Sequence, residues 1–85
     1  MTAQHTLSKE AFAAIRAGLE VETTDRLHIL ISGAAKVRRD PKMAKLGVAL
    51  LASHYGRHVS LENVNAACQF IGYVAPMILA KRTVS

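Results

Sequence analysis

Hydrophobic positions recur along this chain at the three- and four-residue spacing of amphipathic helices, in four blocks separated by short polar or turn-forming segments. In the first block Ser8 stands as an N-cap, with Leu7 and Phe12 at the hydrophobic staple positions around it. Phe12, Ile15 and Leu19 then share a face. The second block opens on Thr23 and Thr24 as capping residues and continues with Leu27, Leu30, Ile31 and Ala34, the stripe of a half-buried helix. Residues 26–32 are also rich in β-formers and could make a short strand. The chain offers no convincing second strand to pair with it, so a helix is favoured.

Asp40-Pro41 marks the next boundary. Proline disfavours helix in the residue before it and suits the first helical position, where no backbone N–H is needed. A third helix is expected from there through Met43, Leu46, Val48, Leu50 and Leu51 to about Tyr55, with Gly56 in the left-handed conformation that ends helices. Its segment LGVALLA is apolar on nearly every side, the pattern of a helix enclosed by its neighbours. Ser60 is expected to start a fourth helix, with Val59 and Val64 as its staple. On that helix Leu61, Val64, Cys68, Ile71 and Ala75 form one apolar face, and Phe70, Tyr73, Val74 and Met77 form another. Pro76 cannot donate to the Gly72 carbonyl and is expected to kink or end the helix. Residues 1–6 and 82–85 are expected to fray.

The fold class that follows is all-α: one domain, a compact bundle of about four short helices. A chain of 85 residues buries only about 60–65% of the surface its unfolded form exposes. Its single cysteine, Cys68, rules out an internal disulfide. Metal binding and oligomerisation are the remaining common supplements to so thin a core, and the two-faced fourth helix predicts a homodimer assembled through Phe70, Tyr73, Val74 and Met77. The lone thiol and the absence of a basic cluster followed by an apolar run near the start point to the cytoplasm. Residues 66–80 make an apolar run shorter than the roughly 20 residues needed to cross a bilayer, so membrane insertion is not expected.

Charge changes this picture. The net charge is +5 and is unevenly placed: Glu10, Glu20, Glu22 and Asp25 sit early, whereas Lys36, Arg38, Arg39, Lys42, Lys45 and Arg57 face only Asp40. Such a run fits phosphate binding, and the same run would also serve as a solvated face. The third and fourth blocks, joined after a glycine, are compatible with a helix-turn-helix. The residues near the start of the fourth helix are Glu62, Asn63, Asn65 and Gln69. Asparagine and glutamine can read adenine, but the helix has no lysine or arginine before Lys81. Phosphate contacts would therefore fall to the cations around Pro41.

Residues 51–64, LASHYGRHVSLENV, resemble the junction before the last helix of histone-fold proteins through Arg57, Val59, Ser60, Glu62 and Val64. That resemblance implies an obligate dimer that binds DNA. Histone folds also carry a long uninterrupted central helix, and Pro41 falls where it would run, so the chain is not assigned to them.

Catalytic chemistry finds little support. Ser32, Ser53, Ser60 and Cys68 lack a glycine-framed nucleophile turn, Glu20 and Glu22 lie in a solvated stretch, and His54 and His58 have ligand spacing interrupted by Gly56. His5 and His28 have no evident partners in the sequence. The expectation is a non-enzymatic protein without metal or cofactor. It would act as a nucleic-acid-associated regulator through the basic turn, or as a protein-interaction module docking through the apolar face of the last helix.

Overall fold

The computed structural model describes residues 7–84, with the side chains of Ala52, His54, Arg57 and Val84 outside that description. The described residues form four α-helices, α1 (Lys9–Val21), α2 (Thr24–Arg39), α3 (Ala44–Tyr55) and α4 (Val64–Val84), with single 3₁₀ turns at Pro41–Met43 and Gly56–His58. The expected fraying of residues 1–6 lies outside the described residues.

Local chemistry sets the helix starts. Ser8 Oγ accepts the Ala11 N–H at 3.1 Å and Thr23 Oγ1 accepts the Arg26 N–H at 3.1 Å, each satisfying a donor that the first helical turn leaves open. Residues 26–32 are helical, so tertiary burial of Leu27 and Leu30 overrides their β-propensity. Asp40 Oδ1 accepts the Lys42 N–H at 3.0 Å, and the chain makes a 3₁₀ turn at Pro41 before α3 begins at Ala44. Gly56 leaves α3 with φ of +54°, a conformation that costs glycine little and other residues more.

The core is assembled chiefly by α2 and α4, which form the most extensive helix pair. Ile15 and Leu19 of α1, Leu27 and Leu30 of α2 and Cys68 and Ile71 of α4 are its largest fully enclosed side chains. Each buried Leu or Ile contributes about 1.5–3 kcal/mol relative to exposure. The inward stripe of α1 is Ala11, Ile15 and Leu19. Phe12, expected on that face, lies one position off it and packs edge-on against Phe70, ring centroids 4.8 Å apart.

Three expectations are corrected. First, α3 is not enclosed: Leu46 is 60% exposed and Leu50 38%. The helix touches the body through Gly47, Leu51 and Tyr55, four residues apart, which leaves the adjoining edge in solvent. At 12 residues α3 is also no long central helix. Second, α4 runs without interruption through Pro76 to Val84, so residues 82–84 are helical. Gly72, whose carbonyl loses its amide donor, and Pro76 are both exposed, so water can satisfy the orphan acceptor while buried Val74 and Ala75 hold the helix to the core. The Arg82 guanidinium fixes its end, Nη2 donating to the carbonyls of Glu22 (2.7 Å) and Glu20 (3.2 Å) and Nη1 to Thr24 Oγ1 (3.2 Å). A cation here also meets the negative end of the α1 dipole. Third, α4 starts at Val64, not Ser60. Asn63 braces the preceding turn, accepting the Ser60 N–H at 2.8 Å and donating to the His58 carbonyl at 3.1 Å.

Close helix approaches make two glycines respond in opposite directions. A Cβ on Gly47 would lie 2.9 Å from Val37 Cγ2 and 3.3 Å from Val64 Cγ2, whereas one on Gly33 would meet only Leu50 Cδ2 at an ordinary 3.5 Å. Alanine gains about 1 kcal/mol over glycine in a helix, against about 1–3 kcal/mol for overpacking. Gly33→Ala is expected to raise the melting temperature and Gly47→Ala to lower it in thermal denaturation followed by circular dichroism.

Candidate nucleic-acid interface

The basic residues converge because a helix, a tight turn and a second helix start follow one another without a linker. Lys36, Arg38 and Arg39 occupy the last turn of α2, Lys42 the 3₁₀ turn and Lys45 the first turn of α3, and all five are exposed. The α2 cations complement the negative helix terminus, so part of their role is structural. Asp40, the acid within the run, is engaged by the backbone of the turn it caps.

The ion pairs recorded among the described residues lie elsewhere: Arg16 with Glu20 at 3.7 Å and Arg26 with Glu22 at 3.9 Å. Arg26 is near the opposite end of α2, about 20 Å from Arg39 at 1.5 Å per residue. Among the described residues the charge is therefore uneven, Glu20, Glu22 and Asp25 standing around the α1–α2 junction and five cations with Asp40 at the α2–α3 elbow. Of Arg57, expected in this group, only the backbone position in the Gly56–His58 turn is described.

Two hollows open beside the elbow. Ala35, Arg38, Arg39 and Asn65 line one of about 420 Å³. A groove of about 650 Å³ is lined by Leu7, Phe12, Arg38, Gln69, Phe70 and Tyr73, so Arg38 borders both. Burial pushes the Cys68 thiol up, with the charge of Arg38 opposing the shift, and the thiol is enclosed in the core. It is a small hydrophobe there, not a nucleophile.

The residues expected to form an apolar interface divide. Tyr73 is 72% exposed and Met77 50%, Phe70 is half-buried against Phe12, but Val74 is only 8% exposed and belongs to the core. The reason is angular: Val74 lies three residues from Ile71 and next to Ala75, and so turns inward with them. Phe12 and Gln69 also line the groove, Gln69 facing the aromatic wall and not standing in a recognition-helix row. The staple position of Phe12 gives no sign of this, because its contact with Phe70 depends on the approach of α1 to α4.

Among the described residues no three His, Cys, Asp or Glu side chains gather as metal ligands, and no helix is long and apolar enough to cross a membrane. No protein-family model matches the chain, and no curated protein or solved structure matches it significantly.

Proposed function

We propose that this chain is a small, basic, non-enzymatic nucleic-acid-associated protein that holds phosphates along the elbow formed by residues 36–45. The observation that carries the reading is the set of five exposed cations around one turn, which outnumber the single carboxylate among them, Asp40, whose Oδ1 accepts a backbone N–H. Contacts of this kind position a nucleic acid without reading much sequence. The buried thiol of Cys68 fits a reducing, cytoplasmic setting.

Binding through five cations releases about five condensed counterions. Fluorescence anisotropy at a series of salt concentrations is expected to give a log–log slope near −3.5 for a single strand and near −4.5 for a duplex. A slope near zero, or no binding at low salt, contradicts the reading.

A second reading, self-association, is supported by apolar exposure on α2 and α3. Ile29, Leu46 and Leu50 are exposed, and Leu50 lies beside Gly33, one turn along α2 from Ile29. Homodimerisation would therefore use this side of the molecule. The C-terminal helix face is less suited to it, or to docking a different protein, because Val74 is already inside the core. Sedimentation velocity is expected to show a dimer that Leu46→Glu converts to monomer; a wild-type monomer removes this second reading.

A further inference from the structure

Phosphate binding at the elbow does not use the most exposed aromatic residue of the chain. Tyr73 stands 72% exposed on α4, in the groove that Arg38 borders. Phe12 and Phe70 supply its apolar wall, Gln69 lies one helical turn before Tyr73, and Gly72 leaves the floor between them open, since a Cβ there would meet nothing within 4 Å. The groove's volume of about 650 Å³ is within the usual range for an aromatic ligand, roughly 300–1,000 Å³, and far too small for a duplex.

Beyond Tyr73 the surface continues into a second hollow of about 300 Å³, bordered by Phe70, Met77 and Lys81 and by the Arg16–Glu20 pair. The aromatic segment thus has Arg38 and Arg39 at one end and Lys81 at the other. Along α4, Gln69 and Lys81 are separated by about 18 Å, a track for a few nucleotides.

We infer that the groove takes unpaired bases of a single-stranded nucleic acid, with one base stacked on Tyr73, its edge within reach of the Gln69 amide, and the adjoining phosphates on Arg38 and Arg39. This rests on the phosphate-binding reading and narrows its ligand class. Charge complementarity selects the occupant: a polyanion with flat apolar groups matches cations at both ends of an aromatic channel, as in other single-strand binding surfaces.

The test is fluorescence anisotropy with a labelled single strand, a duplex of the same sequence and the same strand carrying abasic sites. Tyr73→Ala and Tyr73→Trp are compared with wild type, each checked by thermal melting. The single strand is expected to bind about tenfold more tightly than either the duplex or the abasic strand. Tyr73→Ala is expected to lose about tenfold on the single strand only, at every salt concentration and with an unchanged salt slope, because stacking releases no counterions. Tyr73→Trp, which introduces the chain's sole tryptophan, is expected to keep the affinity and lose emission on binding.

If Tyr73→Ala binds as wild type with the salt slope intact, the stacking inference fails while the elbow reading stands. If neither single strand nor duplex binds, both fail. If Tyr73→Ala instead turns a dimer into a monomer without altering affinity, the groove holds a second copy of the chain and the inference is overturned.

Discussion

Val74→Asp is expected to unfold the chain, not to separate two copies of it. Val74 is 8% exposed and sits in α4 between Ile71 and Ala75 in the core. A carboxylate placed there loses its water and gains no partner, a cost of several kcal/mol, against a total stability of about 5–15 kcal/mol for typical proteins and the low end for small ones. Circular dichroism at neutral pH is expected to show no cooperative melt. Because burial raises the carboxyl pKa in the folded state above its unfolded value near 4, the native state binds the proton more tightly. Stability is therefore expected to return as pH falls toward that value. Tyr73→Asp, one position away but exposed, is expected to melt close to wild type. A folded Val74→Asp protein of half the wild-type mass would place Val74 in an interface and contradict this packing.

Reversing Arg38 and Arg39 together is expected to have the largest effect on binding. Each Arg→Glu change removes two charges, taking the net charge from +5 to +1. Both side chains are exposed and line the hollow with Asn65, so the helices need not repack. The α2 terminus does lose favourable cations, at about 0.3–1 kcal/mol each, so a lower melting temperature with unchanged helical content is expected. Affinity for nucleic acid at low salt is expected to fall by more than tenfold, and the salt slope to become shallower by about 1.4 for a single strand as two phosphate contacts disappear. The corresponding Arg→Gln pair is expected to change the slope equally with a smaller loss of affinity, which separates missing contacts from added repulsion. Retained affinity in the reversed protein would remove the elbow from the binding surface.

The starts of α1 and α2 and the boundary at Asp40 were legible because they depend on neighbours in sequence, whereas α4 begins at Val64 and not at the expected Ser60. Ser8, Thr23 and Asp40 each bond to an amide two or three residues on, and Gly56 needs only its own backbone freedom. The course of α4 was not legible. Proline at position 76 argues locally for a break, whereas Arg82 bonds to residues 58 to 62 positions away. The apolar run of α3 was ambiguous for a different reason: an all-round hydrophobic helix reads the same whether surrounded or lacking a cover on one edge. On α4, Tyr73, outside, and Val74, inside, stand about 100° apart around the axis, and which of the two apolar directions faces the core is fixed only when α2 packs against the helix.

The candidate interface divides in the same way. Lysines and arginines are visible in the sequence, but how near the acids come to them depends on the fold, which holds Glu20 and Glu22 near the far end of α2 and leaves Asp40 at the elbow as the cap of its 3₁₀ turn. The groove beside them joins Phe12 of α1 to Phe70 and Tyr73 of α4, a juxtaposition no local pattern contains.

The central claim, that the α2–α3 elbow holds phosphates, is tested most directly by nuclear magnetic resonance. Amide shifts of isotope-labelled protein would be followed during titration with a short oligonucleotide at low salt. The largest perturbations are expected at Lys36, Arg38, Arg39, Lys42 and Lys45, reversed by added salt. Perturbations confined to Leu46, Leu50 and Ile29, or none at any oligonucleotide concentration, would contradict it.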